Sequence, residues 1–308
     1  MEISNYDEFG YDYSTYWKER AYENEAEHIV LNKTFQDIPS GNWFLDIGGS
    51  YGRLADTYYD RFKHPIILDY SYDTLKNNYS KLKEEYPKLT LIAANAYKLP
   101  FAESSLDAAL MVRVLHHLNE PDIYFKEISR VLKSGSTYIQ EFANKVHIKA
   151  KIRALFKGDF KFFSKKPYQQ PAIGNFEGTE NQQSIFLNYH PKHIKQLFKK
   201  NNITISHRHG CSYLRIPWIK ERIKTENLLK IEKVLQKLLS WSNISPSIFF
   251  TGKSNKPLTT KKRFNSLEDI LVCPRCKNSL HFSGDIAICR KCQKKYYKKE
   301  NIWDFRTI

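Results

Sequence analysis

The chain has 308 residues, of which 27% are charged and 41% hydrophobic, and it carries a formal net charge of +16. That length accommodates a full α/β domain plus a second small module better than a single core. The first twenty residues are acidic and aromatic, which argues against a secretory signal. No apolar run approaches the ~20 residues of a membrane helix, so a soluble cytoplasmic protein is expected.

The charge is unevenly divided. Residues 1–144 hold 15 Lys and Arg against 22 Asp and Glu, whereas residues 145–308 hold 34 against 11. A basic half with runs such as Lys261-Lys262-Arg263 and Lys294-Lys295 suits an anionic partner, RNA above all. A composition rich in Lys, Asn, Ile and Tyr accounts for it equally well.

Apolar and aromatic residues spaced among charges at 14–35, including Tyr16, Trp17, Ala21, Ile29 and Leu31, predict one or two N-terminal helices. The run ending at Ile47 reads as a buried parallel strand that stops at a glycine-rich turn. A helix is then predicted over Leu54–Phe62, a strand over Pro65–Asp69, and a helix over Tyr72–Tyr86 stopped by Pro87. Strands follow at Leu89–Ala93 and Leu106–Val112, a helix at Pro121–Leu132 with proline in its first turn, and a strand at Thr137–Phe142. Strands alternating with helices imply a parallel sheet covered on both faces.

After Phe142 the alternation lapses. Residues 143–188 are basic, aromatic and broken by Pro167, Pro171, Gly174 and Gly178, a pattern that suits a lid or substrate loop. A helix at Pro191–Lys200, a strand at Ile203–His207, an amphipathic helix at Thr225–Leu239 and a strand at Ser247–Thr251 are predicted next. Leu228, Ile231, Leu235 and Leu238 share one face of that helix and are expected to pack in a core or between domains. Ser254–Asn265, polar and lysine-rich, reads as a linker.

The central motif is Asp46-Ile47-Gly48-Gly49-Ser50-Tyr51-Gly52, between a strand and a helix. Glycines there let the backbone turn sharply and approach a ligand, and a carboxylate can accept hydrogen bonds from a cationic amino group. A dinucleotide fingerprint ending on Gly52 would need glycine at 47, where Ile47 stands, which disfavours NAD. Asp69 closes the next strand, where a carboxylate grips ribose hydroxyls.

The stretch from Phe44 to Phe142 resembles the class I S-adenosylmethionine-dependent methyltransferases, in the subgroup of the ubiquinone and menaquinone methylases. The resemblance is carried by the glycine turn, Asp69, Asn95-Ala96-Tyr97-Lys98-Leu99-Pro100-Phe101, and Val114-Leu115-His116-His117-Leu118 leading to a helix and Gly135. It implies that Asp46, Gly48, Gly49, Ser50 and Gly52 cradle the methionine part of S-adenosylmethionine and that Asp69 binds the ribose. It places Asn95 and Ala96 against the adenine and Arg113 at the methyl-donor pocket. Ser50 stands where the family commonly has glycine, Asn95 where it has aspartate, and Arg113 where it has a small or neutral residue. A sulfonium already activates its methyl group, so the protein mainly aligns an acceptor. The catalytic residues are unassigned: His116 or His117 could act as a base or could serve packing alone. Tyr6, Tyr11 and Tyr13 could cover the pocket.

Cys273-Pro274-Arg275-Cys276 and Cys289-Arg290-Lys291-Cys292 form two knuckles separated by 12 residues. Two such knuckles complete a closed tetrahedral Zn2+ site, structural because no position is open to water. The surrounding segment resembles the zinc domain of the small activator subunit of tRNA, rRNA and release-factor methyltransferases. The remaining cysteine, Cys211, reads as a small buried residue.

The expected architecture is therefore α/β: a doubly wound, Rossmann-like, mainly parallel seven-stranded sheet with helical insertions, plus a small C-terminal zinc ribbon. Its parts are an N-terminal helical cap (1–40), a methyltransferase domain (41–253) with insertions at 143–188 and 211–245, a linker (254–265) and the zinc ribbon (266–308). The expected function is methyl transfer to RNA or a small molecule. The alternative is an RNA-binding adaptor with a vestigial core.

Overall fold

The computed structural model describes residues 17, 19–169, 186–257 and 263–306. Tyr6, Tyr11, Tyr13 and Tyr16, part of the 143–188 segment, and Lys261-Lys262 lie outside the described residues.

Helix α1 (Ala21–Gln36) precedes β1 (Gly41–Ile47). The expected helix after the glycine turn is shorter, α2 (Ala55–Tyr58) plus one 3-10 turn, because β2 (Phe62–Asp69) begins directly after it. Helix α3 (Tyr72–Glu85) is capped by the Ser71 hydroxyl, which accepts from the Thr74 N–H at 3.1 Å. β3 (Thr90–Ala93), β4 (Leu106–Met111), α4 (Pro121–Val131) and β5 (Leu132–Ala143) continue the alternation. Then come α5 (Ile148–Phe156), the two-residue strands β6 (Tyr168–Gln169) and β7 (Leu187–Asn188), α6 (Pro191–Lys200) and β8 (Ile203–Cys211). Helices α7 (Pro217–Arg222) and α8 (Thr225–Leu239) lead into β9 (Ser247–Ser254).

The sheet order through this region is β3-β2-β1-β4-β5-β9-β8, parallel except that β9 runs antiparallel to both neighbours. The apolar runs of β1 and β4 are buried along nearly their whole length, as strands covered on both faces require. Ile47 pairs with Leu68 on one side and Met111 on the other. That register brings the turn after β1, Asp69 and Arg113 to the same edge of the sheet. It is also where the chain reverses direction across the sheet, the place at which such sheets open a ligand crevice.

The cysteine module comprises α9 (Leu267–Ile270) and the antiparallel strands β10 (Leu280–Ser283), β11 (Ile286–Cys289), β12 (Lys295–Lys299) and β13 (Ile302–Asp304). It does not swing free. β13 adds in parallel to β3, with Trp303 opposite Ile92 and Asp304 opposite Ala93, so the sheet runs to eleven strands. Ala102 N–H donates to Ile270 O at 2.7 Å and Lys277 Nζ reaches Glu127 at 2.6 Å. Trp303, Phe305 and Leu271 bury in the same core as Trp43 and Phe101. β3 would otherwise be a bare edge strand offering unpaired N–H and C=O groups.

One expectation fails. Of the α8 stripe only Leu228 is fully buried; Ile231 and Leu238 are exposed, and the helix buries Leu228, Glu232 and Gln236 instead. Glu232 is needed inside, where it accepts from the Ser212 and Tyr213 N–H groups and from Tyr22. Cys211, as expected, is a buried free thiol.

Candidate active site and metal centre

The turn after β1 is shaped by what cannot stand there. Gly48 has φ +73°, and a Cβ on it would lie 2.1 Å from Val114 Cγ2. Gly52 has φ +77°, and its Cβ would meet Leu82 Cδ2 at 2.4 Å. Both positions therefore exclude side chains on conformation and on space. Ser50 takes a left-handed φ of +50° and turns its N–H to Asp69 Oδ2 at 3.0 Å. Asp69 Oδ1 accepts from the Ser71 N–H at 2.9 Å. Two backbone N–H groups thus hold the carboxylate toward the turn.

Asp46 lies under the turn: a Cβ on Gly49 would come within 2.8 Å of its Oδ2. Tyr58 OH donates to that oxygen at 3.0 Å. Burial pushes the Asp46 carboxyl up to about 7, although Tyr58 and the Arg53 charge pull the other way. Asn95 is buried and its Oδ1 caps the following 3-10 turn by accepting from the Tyr97 N–H at 2.8 Å; Ala96 is the first residue of that turn.

Arg113 pairs with Glu27 of α1. Its guanidinium donates to Glu27 Oε1 at 2.6 Å through Nε, and its backbone, at φ +60°, donates to Glu141 Oε2 at 2.9 Å. Arg53 binds the other Glu27 oxygen at 2.6 Å and stacks over Trp17 with its Cζ 3.8 Å from the ring centre. Burial alone would raise the fully buried Glu27 carboxyl, but Arg113 and Arg53 outweigh it and hold it below the usual range. His116 is pushed well below its ordinary value by burial, then by His117, Arg113 and Arg215, so its imidazole is neutral at physiological pH. Its ring packs at a tilt against His117 and Phe186, with ring centres 4.0 and 4.2 Å away.

Residues 45–139 match the family described as a methyltransferase domain. That match to a methyltransferase domain covers 95 of the 308 residues. A demethylmenaquinone methyltransferase of Renibacterium salmoninarum is 32% identical over 105 residues, 34% of this chain and 43% of that protein. An uncharacterised chloroplast methyltransferase of Arabidopsis thaliana is 38% identical over 123 residues, 37% of this chain and 34% of that one. The match thus spans less than half of either relative. Among solved structures, a chain from a complex of the Haloferax volcanii Trm112 methyltransferase activator with a methyltransferase superposes with a TM-score of 0.54. It is 13% identical, over 83% of this chain and all of that one, a likeness of fold.

Beside the methyltransferase domain, the four paired cysteines converge. Sγ separations are 3.6 Å for Cys273–Cys292, 3.4 Å for Cys276–Cys289 and 3.7 Å for Cys276–Cys292, and all four lie within 4.8 Å of one another. A disulfide would need about 2.05 Å, whereas a tetrahedral ion with bonds of about 2.3 Å spaces its sulfurs by about 3.8 Å. Each knuckle closes through a left-handed residue: Lys277 at φ +59° donates to Cys273 O, and Gln293 at φ +56° donates to Cys289 O.

The Glu27, Arg53 and Arg113 cluster was not foreseen from sequence. Its one signal is spacing: Glu23, Glu27, Val30 and Thr34 recur on a single face of α1 and all are buried. A charge in an apolar stripe needs a partner.

Proposed function

We propose that this chain transfers a methyl group from S-adenosylmethionine to an acceptor entering at the C-terminal edge of β4 and β5. The supporting observation is the juxtaposition of a side-chain-free turn after β1 with a carboxylate at the end of β2, fixed toward that turn by the Ser50 N–H. In this reading Gly48, Gly49, Ser50 and Gly52 border the methionine part, Asp69 takes the ribose hydroxyls, and Asn95 and Ala96 border the adenine. Asp46 supports the turn from below, while Arg113 closes the site through Glu27. Bound S-adenosylmethionine would supply an electrophilic methyl, leaving the protein to align the acceptor and exclude water. Of the two histidines, His117 is the candidate to take a proton from a hydroxyl or ring nitrogen, because the burial that keeps His116 neutral also disfavours its protonated form.

The cysteine module is read as a structural Zn2+ ribbon, supported by four thiols at tetrahedral spacing. In this chain the module itself covers the β3 edge. Isothermal calorimetry tests the core of the reading: wild type should bind S-adenosylmethionine, Asp69→Ala should bind at least about tenfold more weakly, and a folded wild type that does not bind sinks it. Transfer of labelled methyl into total RNA against an organic extract assigns the acceptor.

A further inference from the structure

Two helices turn their apolar sides to solvent. On α5, Ile148, Ile152, Leu155 and Phe156 recur at i, i+4, i+7 and i+8 and are exposed, Phe156 to 89%, while Ala150 and Ala154 face inward. On α8, Ile231, Val234 and Leu238 form a second exposed stripe that runs on to Trp241, 78% exposed. At about 100° per residue this stripe lies roughly 130° from the buried Leu228, Glu232 and Gln236. The first turn of α5 meets the loops that flank α7 and α8. Ile148 N–H donates to Ile244 O at 3.2 Å, and Lys149 Nζ donates at 3.1 Å to Arg215 O, just ahead of α7 with its exposed Trp218.

The charge around them is one-sided. Residues 145–169 and 213–244 hold fifteen Lys and Arg against four Asp and Glu, and one of the four is the buried Glu232. Aliphatic stripes of this extent in water mark an interaction surface. A second copy of the chain would set like charges against each other. RNA rewards basic and flat aromatic groups but gains nothing from Ile, Val and Leu. Exposed Ile, Leu, Phe and Trp within a Lys and Arg rim suit the headgroup boundary of an anionic lipid layer, where apolar side chains enter the acyl region and cations meet phosphates.

We propose that α5, α7 and α8 form a peripheral docking face for anionic membranes. The face begins where α5 leaves the end of β5, beside His147 and Arg215, so docking would present the acceptor side of the domain to the lipid layer. The assignment does not depend on methyl transfer, since it concerns binding alone.

Co-sedimentation of the full chain with vesicles of phosphatidylcholine, with and without phosphatidylglycerol, tests it. Binding to the anionic vesicles should be at least about tenfold tighter and should weaken in high salt. The combined variant Phe156→Ser, Leu238→Ser, Trp241→Ser should bind at least about tenfold more weakly. Should that variant melt early, Lys230→Glu with Lys233→Glu and Lys237→Glu reads the same face through its charge. Failure of wild type to bind anionic vesicles, wild-type binding by the folded serine variant, or by the charge variant where it replaces it, or a dimer that the substitutions dissociate would each overturn the proposal. So would RNA binding that the same variants abolish while vesicle binding persists.

Discussion

Replacing Gly48 with alanine tests whether the turn after β1 is as crowded as its geometry states. At φ +73° an L-residue costs about 1–2 kcal/mol. The new methyl would sit 2.1 Å from Val114 Cγ2, and forcing a methyl into packed surroundings costs about 1–3 kcal/mol more. Gly48→Ala should therefore lose about 2–5 kcal/mol. Val114 is only partly buried, so Val114→Ala alone should cost about 1 kcal/mol. In the double variant the 2.1 Å overlap disappears, leaving the backbone cost and a Val114 Cβ contact at 3.3 Å, which gives a favourable coupling of about 1–3 kcal/mol. Urea unfolding of the four proteins in a double-mutant cycle measures this directly. Additivity within about 0.5 kcal/mol would show that Val114 is not what excludes a side chain, and the steric account of the turn would fall.

Burial raises Asp46 from 3.8 to about 7, so the native state favours its protonated form. Its contribution to stability is complete below pH 3.8 and lost as pH rises toward 7; Asp46→Asn should match wild type in acid and exceed it above pH 7 by up to about 4 kcal/mol. A thermal-melt series across pH showing no divergence would refute this. Glu27 is the opposite case, held low by Arg113 and Arg53 against burial, so its contribution is present above about pH 4.5 and fades as pH falls through the folded value. Glu27→Gln should cost about 3–5 kcal/mol at neutral pH, with the gap closing in acid unfolding curves; a constant gap counts against the ion cluster. Adding Zn2+ at about a thousand times its dissociation constant should stabilise the chain by about 4 kcal/mol over the chelated form, and Cys289→Ser should abolish that response. Equal melting with chelator and with zinc would remove the structural role.

What was legible in the sequence was local. The α/β alternation, the glycine turn, Asp69 at the end of β2 and the paired knuckles each depend on residues within a few positions of one another, where spacing dictates geometry. The pairing of β13 with β3 is not local: Trp303 meets Ile92 across about 210 residues, through a strand of three. No short-range pattern announces such a contact. The α8 stripe was misread for another reason: periodicity shows that a helix has two sides but not which one meets water. Glu27 escaped because a glutamate in a helix ordinarily points outward, and only Arg53 and Arg113, from distant segments, make its burial tolerable.

The strand that seals β3 also sets a schedule for the nascent chain. Ribosomes elongating at about 5–20 residues per second need roughly 10–40 seconds to deliver β13 after β3 has emerged. Throughout that interval the half-built sheet presents an open flank to every other strand in its surroundings.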